Sequence, residues 1–159
     1  MNPRIQVMLD SRQLEAQPAE DAEIAGMWTK AVRTLRSSGV EGLDPDSAFT
    51  LAYQAALQAC TAVVRAAGYR VRGQGHHHHT FAAVAALGLG ELADAARELN
   101  VIRQGRHDAV YDWDAGTEAE DLEAIGAAGS LLFGEAFRWL RAERPRLAGS
   151  LPSPSPEGP

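Results

Sequence analysis

The stretch DPDSAFTLAYQAALQACTAVVRAAG, residues 44–68, constrains the fold more than any other part of the chain. Asp44 and Pro45 read as a helix N-cap followed by a first-turn proline, whose missing N–H is no loss at that position. The helix they start runs to about Gly68 and is apolar nearly all round, relieved only by a narrow stripe of Gln54, Gln58, Thr61 and Arg65. Such a helix needs neighbours on most of its circumference, so it is expected to be the central member of a helical bundle. Phe49 and Tyr53 read as core aromatics, the tyrosine hydroxyl requiring a polar partner. Cys60, the single cysteine, excludes an internal disulfide and has no cation or base beside it in sequence to activate it, so it reads as a buried thiol.

Apolar periodicity on both sides of this helix fits the same class. Ile24, Met27, Trp28, Ala31 and Leu35 mark a helix from Pro18 to Gly39, and residues 68–79, GYRVRGQGHHHH, read as a loop. A short helix is expected over 78–87, a longer one over 91–113, and a last one opened by a Thr117/Glu120 capping box with Leu122, Ile125, Gly129, Leu132, Ala136 and Leu140 inward. The expectation is an all-α, up-and-down bundle of about five helices over residues 18–145. Residues 1–17 would be an N-terminal extension, and 146–159, rich in Pro, Ser and Gly, a disordered tail. At 159 residues and 45% hydrophobic composition, one domain is the default.

Charge narrows the function. The net charge of −6 argues against non-specific coating of nucleic acid. Between Arg65 and His107, however, six arginines face three acids, and all five histidines fall in this stretch. A confined anion site on an acidic body fits that asymmetry. Trp28, Trp113 and Trp139 fall on apolar stripes and read as packing or dimer contacts, and the acids from Asp112 to Glu123 as a solvated, dipole-favoured helix start.

The segment RQGRHDAVYDW, residues 103–113, carries the sharpest signal. At about 100° per residue, Leu92, Ala96, Leu99, Val110 and Trp113 define a buried stripe, and Arg103, Arg106 and His107 fall within about 60° of its centre. Three readings are open. The helix leans out and the arginines snorkel; they pair with carboxylates elsewhere; or they converge on a cleft or subunit interface, where two guanidiniums one turn apart hold a phosphate or carboxylate. Tyr111 and Asp112 lie off the stripe, with Tyr111 one turn beyond His107.

Together, DSAFTLAYQAALQACTAVVRAAGYR, the glycine-rich loop with histidines and RQGRHDAVYD resemble the HEPN domains, helical bundles of bacterial toxins, defence systems and nucleotidyltransferase partners. The resemblance covers residues 20–143. It implies a homodimer whose arginine-bearing helices face each other and bind RNA or nucleotide phosphate, with Arg103, Arg106 and Asp112 as the phosphate-binding set. It also implies candidate catalytic residues Arg106, His107 and Tyr111. In the family's ribonucleases a histidine follows the arginine at short spacing. Here four residues separate Arg106 from Tyr111, where that histidine is expected, and His107 adjoins Arg106 instead. Tyrosine, with an ordinary pKa of ~10, is a poor base near neutrality. The alternatives are a metal-independent endoribonuclease toxin using Arg106 and His107, paired with an antitoxin, and a non-catalytic partner of a nucleotidyltransferase.

The run His76, His77, His78, His79 is flanked by native-looking sequence. Adjacent histidines in a loop do not all face one ion, so no metal and no cofactor are expected; one or two of them are expected to cap the following helix or face the cleft. The chain has no run of about 18 wholly apolar residues and no apolar leader at its start, so a cytoplasmic protein without a membrane partner is expected.

Overall fold

The computed structural model describes the backbone of residues 2–110 and 116–155, and the side chains of all of these except 106–110. The elements in chain order are α1 (Pro3–Asp10), β1 (Leu14–Ala16), α2 (Asp21–Ser38), α3 (Pro45–Ala66), β2 (Tyr69–Val71), α4 (His76–Ala86), α5 (Glu91–Val110) and α6 (Ala119–Glu143). A 3-10 turn follows at Pro145–Leu147. The chain is mostly helical, as expected, with six helices and one small two-stranded ribbon among the described residues.

The central helix forms as its sequence dictates. Asp44 accepts a hydrogen bond from the Ser47 amide, Pro45 opens α3, and ten residues of the helix are buried against α2, α4, β2 and α6. By length and composition α3 is also long and apolar enough to cross a bilayer; here 44% of its apolar window is buried inside the bundle. Cys60 is fully buried, and burial pushes its thiol pKa up. The remaining core comes from Ile24, Trp28 and Val32 on α2, Phe81 on α4, Leu92, Ala96 and Leu99 on α5, and Leu132, Phe133 and Leu140 on α6. Trp28 stacks on Phe137 with centroids 5.9 Å apart and leans on Phe133 at 5.5 Å.

Residues 1–17 are not a loose extension. Asn2 caps α1, Ile5 and Met8 are buried, and β1 pairs antiparallel with β2 in the register Leu14↔Val71, Glu15↔Arg70, Ala16↔Tyr69. Leu14 and Val71 both turn inward, which is why the segment expected to be a loop at 69–71 is extended. Arg65, placed by sequence on a polar stripe, clamps this region. It is 6% exposed and donates to both carboxylate oxygens of Glu23 and to the carbonyls of Gln17, Pro18 and Tyr69. Those carbonyl contacts hold 17–18 outside the helix, so α2 starts at Asp21 rather than Pro18.

Three further expectations are corrected. The helix expected from residue 78 begins at His76, after Gly75 at φ +76°, a left-handed conformation that favours glycine. The last helix is capped by a Glu118/Asp121 box instead of Thr117/Glu120, because the Thr117 amide and hydroxyl both bond Asp46 Oδ1, at 2.9 and 2.5 Å. The tail expected to be disordered from 146 is packed as far as it is described. Leu147 and Leu151 are buried, and the Trp28 indole N–H donates to the Pro152 carbonyl at 2.8 Å.

Candidate functional site

The start of α4 and the second half of α5 form a shared hollow. Along α5 the buried stripe of Leu92, Ala96 and Leu99 continues to Arg103, as the angular count expects, but Arg103 is half-buried rather than enclosed. It lines an open hollow of about 370 Å³ together with Gly75, His76, His77 and His78. This hollow gives the guanidinium its route to solvent. Among the described residues Arg103 makes no ion pair with a carboxylate.

Asn100, one turn before Arg103, joins the two sides. Its Oδ1 accepts from Arg103 Nε at 3.3 Å, and its Nδ2 lies 2.8 Å from His78 Nδ1. A guanidinium only donates, so the amide oxygen must face Arg103 and the amide nitrogen must donate to His78. His78 Nδ1 is thereby an acceptor, and the ring carries its proton on Nε2. One side chain thus fixes both the arginine and the tautomer of the histidine.

The first turn of α4 adds to the positive character. Gly75 offers no side-chain cap, so helix-start amides without intrahelical acceptors and the positive end of the helix dipole lie beside Arg103. His76 and His77 are exposed, while His78 and His79 are half-buried. Burial, then the neighbouring His76 and Arg103, lower the pKa of His77 below the ordinary imidazole value. Tyr53 of α3 reaches the same place: its ring lies 6.1 Å from that of His77 and 5.8 Å from that of Phe81. Its hydroxyl is buried and has no hydrogen-bond partner among the described residues. Burial raises the tyrosine's pKa, opposed by the charge of Arg103. His79 packs on the other side, its ring Cε1 3.4 Å from where a Cβ on Gly75 would sit.

A second hollow of about 220 Å³ opens on the far side of His76, with Arg70, Thr61 and Thr80 in its wall. There the buried guanidinium of Arg65 is already matched by Glu23 at 3.1 Å, so the hollow offers an anion much less.

Of the residues singled out from sequence, Arg103 is in this site, brought together with the histidine run. The side chains of Arg106 and His107, and the whole of Tyr111, Asp112 and Trp113, lie outside the described residues. Asn100 was not foreseen, and nothing local marks it: its bond to His78 spans 22 positions. Among the described residues no three His, Cys, Asp or Glu side chains are grouped to hold a metal ion. The arrangement has what anion capture needs, namely a fixed guanidinium, imidazole donors and a helix start in a partly desolvated hollow. The chain matches no protein-family model, no curated protein and no solved structure.

Proposed function

We propose that this protein is a HEPN-like, cytoplasmic helical bundle that binds the phosphate of RNA or a nucleotide in the hollow at the start of α4, working as a homodimer. The observation that carries the reading is Arg103. It is a half-buried guanidinium with no carboxylate partner among the described residues, held by Asn100 and surrounded by His76, His77 and His78. Leaving such a charge uncompensated in a partly desolvated place is unfavourable, and a phosphate compensates it.

The test is equilibrium binding of a labelled single-stranded oligoribonucleotide to the wild type and to Arg103→Ala. The variant loses about tenfold or more in affinity, and the dependence of log K on log salt becomes shallower by about one phosphate contact. Equal affinity and equal salt slope in the two proteins would refute the reading.

A second reading, metal-independent RNA cleavage, is favoured by one observation: His77, whose pKa is lowered below the ordinary imidazole value, lines the hollow with Arg103. A base available near neutrality and a cation are two of the parts such cleavage uses. RNA left intact by the wild type under chelating conditions rejects this reading and leaves the binding reading standing.

A further inference from the structure

Farther along α4 and α5 a hollow of about 420 Å³ opens between α1, α4 and α5; Asn100, whose amide bonds His78 and Arg103 of the anion hollow, lines this one. Its floor is Phe81, Ala82, Ala85 and Ala86, with Met8 of α1 against them. All but Ala82 are buried, and three alanines on one face leave the surface of α4 low and flat. Arg4 and Arg97 stand at the rim. Arg97 is paired with Asp94 at 2.8 Å and remains 48% exposed.

His78, Ala82 and Ala85 follow one another down a single face of α4, and Arg103, Asn100 and Arg97 lie at three-residue steps along α5, turning through about 120° from the anion hollow to the apolar one. At ~1.5 Å per residue the two hollows are centred on the order of 10 Å apart, with Asn100 bonded to residues of the first and lining the second. An anion site and a flat apolar hollow at that separation do not suit a free phosphate, which would use only the first. Nor do they suit a double helix, whose phosphates face outward while its bases are stacked and paired inside. They suit an unpaired nucleotide, which presents both groups from one strand.

Resting on the phosphate-binding reading, we infer that the α1/α4/α5 hollow takes the base of an unpaired nucleotide whose phosphate is held at Arg103, and that the protein therefore selects single-stranded over double-stranded RNA. The base lies on the alanine floor, with the guanidinium of Arg97 over its plane. The floor offers no donor or acceptor, and both ends of the Asn100 amide are engaged by His78 and Arg103. The hollow therefore takes any of the four bases with little discrimination.

The experiment compares three probes on the wild type: a mixed-sequence single-stranded oligoribonucleotide, an abasic ribose-phosphate strand of the same length, and a blunt RNA duplex. The single strand binds about tenfold more tightly than the abasic strand, the worth of one well-seated base, and more tightly than the duplex. Ala82→Trp, which fills the hollow, brings the single strand down to the abasic level and leaves abasic binding unchanged. The wild-type comparison needs no variant, so a folding defect in Ala82→Trp does not remove the test. Equal binding of single and abasic strands, both weakened by Arg103→Ala, overturns the base hollow and keeps the phosphate site. Binding indifferent to Arg103→Ala, or no binding at all, overturns the phosphate site and this inference with it. A concentration-dependent dimer abolished by Ala82→Trp with single-strand affinity unchanged assigns the hollow to a second copy of the chain, and also overturns the inference.

Discussion

Replacing Arg65 by methionine tests whether the N-terminal segment is part of the domain. The guanidinium donates to Gln17 O at 2.8 Å, Tyr69 O at 3.1 Å and Pro18 O at 3.4 Å, and to Glu23 at 3.1 and 3.3 Å. Methionine keeps the aliphatic stem packed, so the loss is mainly that of the polar contacts. Hydrogen bonds from a charged donor contribute ~1.5–3 kcal/mol each, and the two shortest carbonyl contacts alone therefore account for about 3 kcal/mol. The Glu23 side chain is 42% exposed and turns to water when the arginine leaves, so its pairing adds less than about 1 kcal/mol. With a urea m-value of about 2 kcal/mol/M, Arg65→Met moves the unfolding midpoint down by about 1.5 M in urea titrations followed by far-ultraviolet circular dichroism. A shift below about 0.5 M would refute a carbonyl clamp at residues 17, 18 and 69.

Other outcomes follow from the same contacts. Asn100→Ala frees Arg103 and His78 together, so RNA affinity falls by about three- to tenfold while stability changes by about 1 kcal/mol or less; an affinity equal to wild type in the titration above would separate Asn100 from the site. Gly75→Ala places a side chain at positive φ, 3.4 Å from the His79 ring, and lowers stability by about 1–2 kcal/mol in thermal denaturation. Deleting residues 146–159 removes buried Leu147 and Leu151 and the partner of the Trp28 indole; a loss of about 3 kcal/mol or more in the same assay is expected, where a disordered tail would give none.

The pH dependence has a definite sign. His77 is held below the ordinary imidazole pKa of ~6.5 by burial and by His76 and Arg103, with Tyr53 the other titratable group against it. Its stabilising effect on the fold is present above that value and is lost as pH falls through the lowered pKa. Binding of a phosphodiester, which does not titrate in this range, runs the other way: affinity rises as pH falls through the lowered pKa and the ring gains charge, and it rises less in His77→Gln. A flat wild-type profile excludes His77 from contact with the anion.

What was legible in the sequence was what local chemistry encodes. Asp44 with Pro45 announced α3, and the i, i+4 and i+7 spacing of Leu92, Ala96 and Leu99 gave the buried face of α5 and so the unusual position of Arg103. Asn2 with Pro3 is the same signal as Asp44 with Pro45, yet so short a helix is stable only because Ile5 and Met8 find the core, which no local rule supplies. The ribbon was hidden for a similar reason: strands of three residues carry almost no periodicity and meet only because Arg65 gathers the chain around them. Pro and Ser in the tail masked two leucines, Leu147 and Leu151, that settle the segment against α2. Half of the site was legible as charge on the wrong face. The other half, Asn100 bridging to His78 and Tyr53 meeting His77, depends on how α3, α4 and α5 are set against one another.

The most direct test of the central claim is a titration with inorganic phosphate followed at the imidazole nitrogens by long-range proton–nitrogen correlation spectra. The account predicts a saturable shift of the resonances of His76, His77 and His78, with His78 showing the Nε2-protonated form before phosphate is added, and no such shift in Arg103→Ala. Imidazole resonances that do not move, or that move equally in the wild type and in Arg103→Ala, would contradict it.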